Sequence, residues 1–446
     1  MELEARLKSN SQNSSKPPSA DPPGGPSRPK GQGGKRKRGG QRGHGAHFSA
    51  EPDHVDQVHE HRAQVCPHCE ADLSRGEVVG EGKSHYVYEL PPIRPLVHEH
   101  QCLDVKCPHC GKVIGGGLPP GVPKGQYDPS VQAMAGLLRG ELRQSVRQTS
   151  AVMTQVLHVP MSPAMVSKTQ EQVSQALAVP FDEALKQAQG QDRKNADETS
   201  WRQNKKKAWL WVCVAGLVTV FLVHLSRGAK AAQGLLGEPF QGILMTDRWA
   251  SYNWIASTQR QLCWSHLKRD FKSFLDYGAD AKRVGERLLC QTRRMFRLWH
   301  RVRDGTLSRT EFRLAIKPVR RRIEALLEEG TGLSCAKVSG MCKEILKLRE
   351  ALFTFVDNDK VEPTNNAAER AIRFAVLWRK GCFGSDTAGG SRFVERFLTV
   401  RATLRCQQRD LYSYLKAACT ASLQGLSAPS LLPPPIQNVS AMPAAA

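Results

Sequence analysis

Asn195-Ala-Asp-Glu-Thr-Ser-Trp201 is followed by two apolar, valine-rich runs, Ala208 to Ala215 and Leu217 to Leu225, which turn at Gly216. Short β-branched runs bounded by turn residues read as strands. A helix-compatible stretch, Ser226 to Leu236, comes next. Gly242 to Thr246 then reads as a short buried strand that ends at Asp247. The order of three strands, helix and strand predicts an α/β domain whose last strand delivers an acid. The two-residue period of a strand puts Asp197, Thr199 and Trp201 on one face and turns Glu198 to the other.

Toward the C-terminus, Val284 to Val302, Thr310 to Leu327 and Val338 to Phe355 are charged amphipathic helices without a catalytic cluster. They read as a helical insertion at about 280–357 within a domain spanning 190–416. A new helix starts at Thr364-Asn365, with Ala368, Ile372 and Ala375 as its apolar stripe and Glu369 beside it. Taken alone, Glu369 reads as a surface partner of Arg373, four residues on, and Asp247 as a turn residue or helix cap. The Gly384 to Ser391 loop leads to a further helix near Phe393 to Leu404, and the Pro/Ala-rich residues 427–446 are expected to be unstructured.

Toward the N-terminus, residues 120–185 read as helical. Ser162-Pro163 supplies an N-cap and a proline for the first helical position. Gln144 to Leu157 precedes it across a break at His158-Val159-Pro160. That is the outline of a helix-turn-helix, although an ordinary helical hairpin has the same pattern. Residues 60–115 hold Cys66-Pro67-His68-Cys69 and Cys107-Pro108-His109-Cys110. Two such turns present four thiolates, the donor set of a closed tetrahedral Zn²⁺ site in a zinc-ribbon-like domain. Redox use is the rival reading, but neither pair sits in a βαβ pattern. Residues 1–48 are rich in Ser, Pro, Gly and basic residues, including Lys35, Arg36, Lys37 and Arg38. They are expected to form a disordered arm that touches phosphates without reading bases.

The formal net charge of +22 over 446 residues points to a polyanionic partner, of which nucleic acid is the commonest. No apolar run approaches the ~18–20 residues of a membrane span, and the start lacks a signal-peptide pattern. A cytoplasmic protein is expected, with its 13 cysteines as thiols or metal ligands.

Several motifs recur together in one known order. They are Asn13-Ser-Ser-Lys-Pro-Pro-Ser19 with Asp21, the paired cysteine turns, Asp197-Glu-Thr199, and Thr246-Asp247-Arg-Trp249 with Tyr252. Cys263-Trp-Ser-His266 follows, then Arg269-Asp-Phe271 and Glu362-Pro-Thr-Asn-Asn-Ala-Ala-Glu-Arg370. Trp378-Arg-Lys380, Phe383-Gly384 and Gly390-Ser-Arg-Phe-Val-Glu-Arg396 complete the series. On these residues the chain resembles the large transposase of the insertion sequence 66 family, from about residue 10 to about 416. The resemblance implies an RNase H-like catalytic domain interrupted by the helical insertion, with Asp197, Asp247 and Glu369 as the catalytic, metal-binding triad. Two Mg²⁺ or Mn²⁺ ions are then expected at the triad and one structural Zn²⁺ at Cys66, Cys69, Cys107 and Cys110. The implied reaction is DNA cleavage at the ends of an insertion sequence followed by strand transfer. A catalytically inactive, transposase-derived DNA-binding protein is the alternative. Arg370, Arg373, Arg379 and Lys380, on or just beyond the Glu369 helix, are expected to hold phosphates. The implied partners are double-stranded DNA (element ends and target), further copies of the chain on DNA, and accessory proteins of the same element, all at the bacterial nucleoid. The resemblance leaves the role of Cys263 and His266 open, as structural support or as a contact to DNA or metal. Two departures stand out. Only Leu3 and Leu7 precede the Asn-Ser-Ser-Lys stretch, where the family carries a longer Leu-rich segment, and Arg248-Trp249 replaces a frequent Gly-Tyr.

Overall fold

The computed structural model describes residues 51–80 and 82–432. Residues 1–48, with Lys35, Arg36, Lys37 and Arg38, lie outside this part, as do residues 433–446. The described chain forms two compact units, residues 51–94 and residues 95–432. In the smaller unit the Cys66 turn is closed by a bridge between Val65 and Asp72.

In the larger unit, β1 (Val105–Lys106) pairs antiparallel with β2 (Val113–Ile114) across the Cys107 turn. Helix α1 (Pro129–Gly140) is capped by Asp128 and starts with proline. Helix α2 (Val146–Ala151) starts with a Ser145/Gln148 capping box and runs into a π turn, Val152–Val156. The chain reverses at His158, φ +53°. Helix α3 (Pro163–Ala176) then begins at Ser162, whose Oγ accepts the Met165 N–H, and α4 (Ala178–Gln189) follows.

The sheet comes next. Strands β3 (Arg193–Gln203), β4 (Lys206–Ala215) and β5 (Val218–His224) form an antiparallel meander. Asn204 and Lys205, φ +49° and +60°, make the first turn with the twist that a two-residue hairpin favours. Helix α5 (Ala229–Leu236) carries the chain to β6 (Ile243–Thr246), which lies parallel to β3, and β7 (Arg260–Leu262) lies parallel to β6. The strand order is β5-β4-β3-β6-β7. Leu210, Trp211, Val212 and Cys213 are consecutive and all fully buried, so β4 is covered on both faces, which is why it reads as a continuous apolar run.

A helical block follows: α6 (Trp264–Ser273), α7 (Ala279–Arg303), α8 (Arg309–Thr331), α9 (Ala336–Leu346) and the short α10 (Thr354–Asp357). It has its own core, in which the Trp299 ring meets Phe355 at 5.4 Å and Phe312 at 5.9 Å. Helices α11 (Asn366–Cys382), α12 (Ala388–Cys406) and α13 (Leu411–Gln424) return to the sheet. Among the described residues no helix is long and apolar enough to cross a membrane.

Two expected boundaries shift. Helices 129–189 do not stand apart from the sheet. Val173, Leu177, Phe181 and Ala184 share one core with Phe221 and Phe397. A Cβ on Gly140 would lie 2.3 Å from the Phe397 ring, and Arg401 pairs with Glu141. The apolar stripes of α3 and α4 are buried in that shared core. Residues 427–432 are also ordered, contrary to their composition. Leu431 is fully buried and its N–H donates to Glu183 Oε2 at 3.0 Å.

Candidate active site

Strand pairing puts the first two acids side by side. The β3–β6 register pairs Asn195 with Met245; Asp197 lies two residues further along β3, and Asp247 two residues after Met245, just past the end of β6. Asp197 Oδ1 accepts the Glu198 N–H and Asp247 Oδ1 the Trp249 N–H, both at 2.9 Å. The buried Arg260 guanidinium donates to the Asp247 carbonyl at 3.2 Å and braces the turn after β6. Glu369 enters from the first turn of α11, which packs on β3. Burial, followed by the charges of Glu198, Asp247 and Glu369, holds the Asp197 carboxyl well above the usual carboxylate range. Asp197 thus lies in the field of the other two acids named from the sequence, Asp247 and Glu369. Glu369 makes no ion pair with Arg373; its partner is His266, with Nδ1 3.5 Å from Oε1.

Glu198 points to the opposite face, as strand alternation requires. It accepts from Tyr252 Oη at 2.7 Å and pairs with Arg227 at 2.7 Å. Arg227 in turn lies 3.6 Å over the Trp249 ring. Burial and the Asp247 charge raise the Glu198 carboxyl, while Tyr252 and Arg227 oppose them. Arg248 pairs with Asp270 at 2.6 Å. The departure Arg248-Trp249 therefore serves two packed ion pairs behind the acids.

The α11 N-terminus is pinned by a residue that sequence reasoning passed over. Asn365 is buried; its Nδ2 donates to the Ala196 carbonyl at 2.7 Å and its Oδ1 accepts from Asn195 Nδ2 at 2.9 Å. The Asn365 N–H donates to Cys263 Sγ at 3.2 Å. The only sequence signal was the position of Asn365 just before a helical stripe. Cys263 is buried and its thiol is pushed up to about 11, chiefly by burial. Burial and nearby Arg269 hold the His266 imidazole below its usual range, against the pull of Asp247 and Glu369. Ligand atoms of Cys263, His266 and Glu369 lie within 4.8 Å of one another; among the described residues Asp197, Asp247 and Glu369 do not form so close a set. Three carboxylates without a counter-charge repel, and Glu369 lies toward His266.

The basic residues around α11 divide. Arg370, Arg373 and Lys380 are exposed. Arg379 Nη1 donates to Thr199 Oγ1 at 2.8 Å and to Ser200 O at 2.5 Å, so it ties α11 to β3.

The two cysteine turns belong to different units but have the same local build. Cys66 O accepts the Glu70 N–H at 2.9 Å, and Cys107 O accepts the Gly111 N–H at 2.9 Å. Glu70 and Gly111 are both left-handed, with φ of +57° and +71°. Backbone N–H groups of His68 and Cys69 lower the Cys66 thiol, and those of Cys110 and His109 lower the Cys107 thiol. In each turn the first cysteine is thus shifted toward thiolate, the form that binds metal.

Comparison with known proteins places two family models on this chain. One, described as Transposase IS66 family, matches residues 124–392. The other, described as a family of unknown function (DUF6444), matches residues 1–50. The uncharacterized protein y4qI of Sinorhizobium fredii is 28% identical over 246 residues, a match covering 49% of this chain and 44% of that protein.

Proposed function

We propose, from the premise that this chain belongs to the transposase IS66 family, that it cleaves DNA at the ends of an insertion sequence and joins the freed strand to target DNA. The observation that carries this reading is the approach of Asp247 and Glu369, from a neighbouring parallel strand and a covering helix, to Asp197, whose carboxyl is raised by burial and then by the charges of Glu198, Asp247 and Glu369. We read the domain as RNase H-like. In support, an antiparallel meander precedes two parallel strands, the first acid lies within β3, and the second lies just past β6.

The donor set fits hard divalent cations, which take carboxylate oxygens. A cation would also relieve the repulsion at Asp197. Two Mg²⁺ or Mn²⁺ ions bound there would supply an activated water and stabilise the leaving 3′ oxygen. The protein's share is placement. Adjacent strands fix Asp197 and Asp247, and Asn365 with Cys263 and His266 positions Glu369. Arg370, Arg373 and Lys380 hold phosphates, while Arg379 acts as a strut. The two cysteine turns supply the four ligands of one structural Zn²⁺. The α2–turn–α3 unit contacts duplex DNA through an outward face bearing Ser167, Lys168 and Gln172, helped by the Lys35–Arg38 arm. The enzyme works as an oligomer on element ends and target, with accessory proteins of the same element, at the bacterial nucleoid. Retention of all three acids argues against an inactive DNA-binding derivative.

A strand-transfer assay with Mg²⁺ or Mn²⁺ tests the reading. Asp247→Asn should keep DNA binding and lose joining by orders of magnitude, because a ligand charge is removed. Joining retained in that variant would overturn the assignment.

A further inference from the structure

Near the Glu369 helix lies a groove of which the chemistry above uses only Arg370. It consists of two cavities, about 250 Å³ and about 620 Å³, and Phe296 and His300 of α7 line both. The smaller also touches Asn195 and Arg370. Asn195 precedes Asp197 by two residues on the same strand face, and Arg370 follows Glu369, so this end of the groove is lined by near neighbours in sequence of two of the acids. The larger is lined by Ser265 and Lys268 of α6 and by Arg293 and Arg297 of α7.

One carboxylate, Glu362, lines the smaller cavity, and the cations of the groove outnumber it. Among the described residues, Lys268, Arg293, Arg297, Arg303 and Arg370 make no ion pair or side-chain hydrogen bond. Elsewhere in the helical block some cations are paired, Arg287 with Glu329, Arg309 and Arg313 with Asp359, Arg320 with Glu324, so the groove is set apart by the clustering of its unpaired cations around a ring and a cavity. On α7 the groove residues 293, 297 and 300, with 296 and 303, recur at helical spacing on one face. Between these cations stands a half-buried aromatic ring, Phe296, tilted against His300 with centroids 6.2 Å apart. Unpaired cations flanking an aromatic platform are the composition of a single-stranded nucleic-acid channel. A base inside such a cavity must already have left the duplex stack.

We propose that this groove binds an unpaired stretch of the DNA strand next to the scissile phosphodiester. One unstacked base lies against Phe296 and His300, and Lys268, Arg293, Arg297, Arg303 and Arg370 track the phosphates. The proposal rests on the reading of the chain as a DNA transposase and adds the strand state of its substrate. It makes the helical block part of the substrate site.

The test uses the full chain and one oligonucleotide carrying 2-aminopurine, single-stranded or annealed to its complement. Wild type should change the 2-aminopurine fluorescence of the single strand on binding. Phe296→Ala should abolish that change and weaken single-strand binding about tenfold, within the range of base–aromatic stacking. Duplex affinity should stay within about twofold, since a stacked duplex base cannot reach the ring. Phe296→Tyr should restore both signals, which a merely misfolded variant would not show. The exposed pair Arg293→Ala/Arg297→Ala should flatten the salt dependence of single-strand binding by about two phosphate contacts. Equal effects on single strand and duplex, or none on either, would overturn the groove. The two readings can fail separately. Loss of joining in Asp197→Asn with no effect of Phe296→Ala sinks the groove alone. Joining retained in Asp197→Asn, with the Phe296 effects present, sinks the catalytic assignment alone.

Discussion

Asp197 is half-buried on β3 with three other carboxylates in its field, and its pKa in the folded protein stands above the unfolded value. The stability this group contributes is therefore complete below the unfolded pKa and is lost as pH rises through the folded one. Metal-free protein should melt lower at neutral pH than in mild acid through this group. Asp197→Asn should flatten that slope and raise the neutral-pH Tm by a few degrees, about what 1 kcal/mol moves in a domain of this size. Thermal melts across pH in the presence of a chelator decide it; an unchanged slope would show that the charge is not strained. Glu198, the next residue, is expected to behave differently. It is satisfied by Tyr252 and Arg227 on the opposite face. Glu198→Gln should leave far more joining activity than Asp197→Asn, and the same strand-transfer assay measures both.

Between elements, the join of α12 to the edge strand β5 shows how the sheet is closed. The N–H groups of Thr219, Phe221 and Val223 donate to Thr403 Oγ1, Thr399 Oγ1 and Glu395 Oε1 at 3.1, 3.0 and 2.6 Å. Four residues of helix rise about 6 Å and two residues of strand about 6.6 Å, so the two rows stay in register over three bonds. An edge strand that would invite pairing with another chain is thereby covered. Thr399→Val keeps the shape but leaves the buried Phe221 N–H without a partner. It should cost about 1–3 kcal/mol, read by urea unfolding, while Thr399→Ser should cost much less; equal losses would mean that packing, not the hydrogen bond, is at stake. The cysteine turns make a second expectation at this scale. Purified protein should contain about one zinc per chain, and Cys66→Ser should lose it without disturbing the catalytic fold, because a closed thiolate site leaves no position for water. Metal analysis with circular dichroism checks this, and a metal-free protein with both turns ordered would count against it.

For the whole molecule, net charge sets how the chain meets DNA. Removing residues 1–48 should weaken binding to all duplexes about equally and flatten its salt dependence, since Lys and Arg that contact only phosphates release counterions without reading bases. Filter binding at several salt concentrations measures it; a loss confined to element ends would show that the arm reads sequence. Local rules sufficed for much of this protein. Periodicity alone set the opposed faces of Asp197 and Glu198, the buried character of β4 and β5, the charged helices after Gly278 and the Ser162-Pro163 helix start, because each depends on neighbours in the chain. What locality could not supply was partnership. Nothing near Asn365 in sequence announces that it bonds to Ala196, or that Glu369 lies beside His266 and not Arg373. Nor does local pattern show that helices 129–189 share the core of the sheet, or that Leu431 is buried in it. An acid is an ordinary surface residue until folding removes it from water and sets other charges beside it. That happened at Asp197 only when a parallel strand and a helix from distant parts of the chain were packed against β3, which is a property of the tertiary structure.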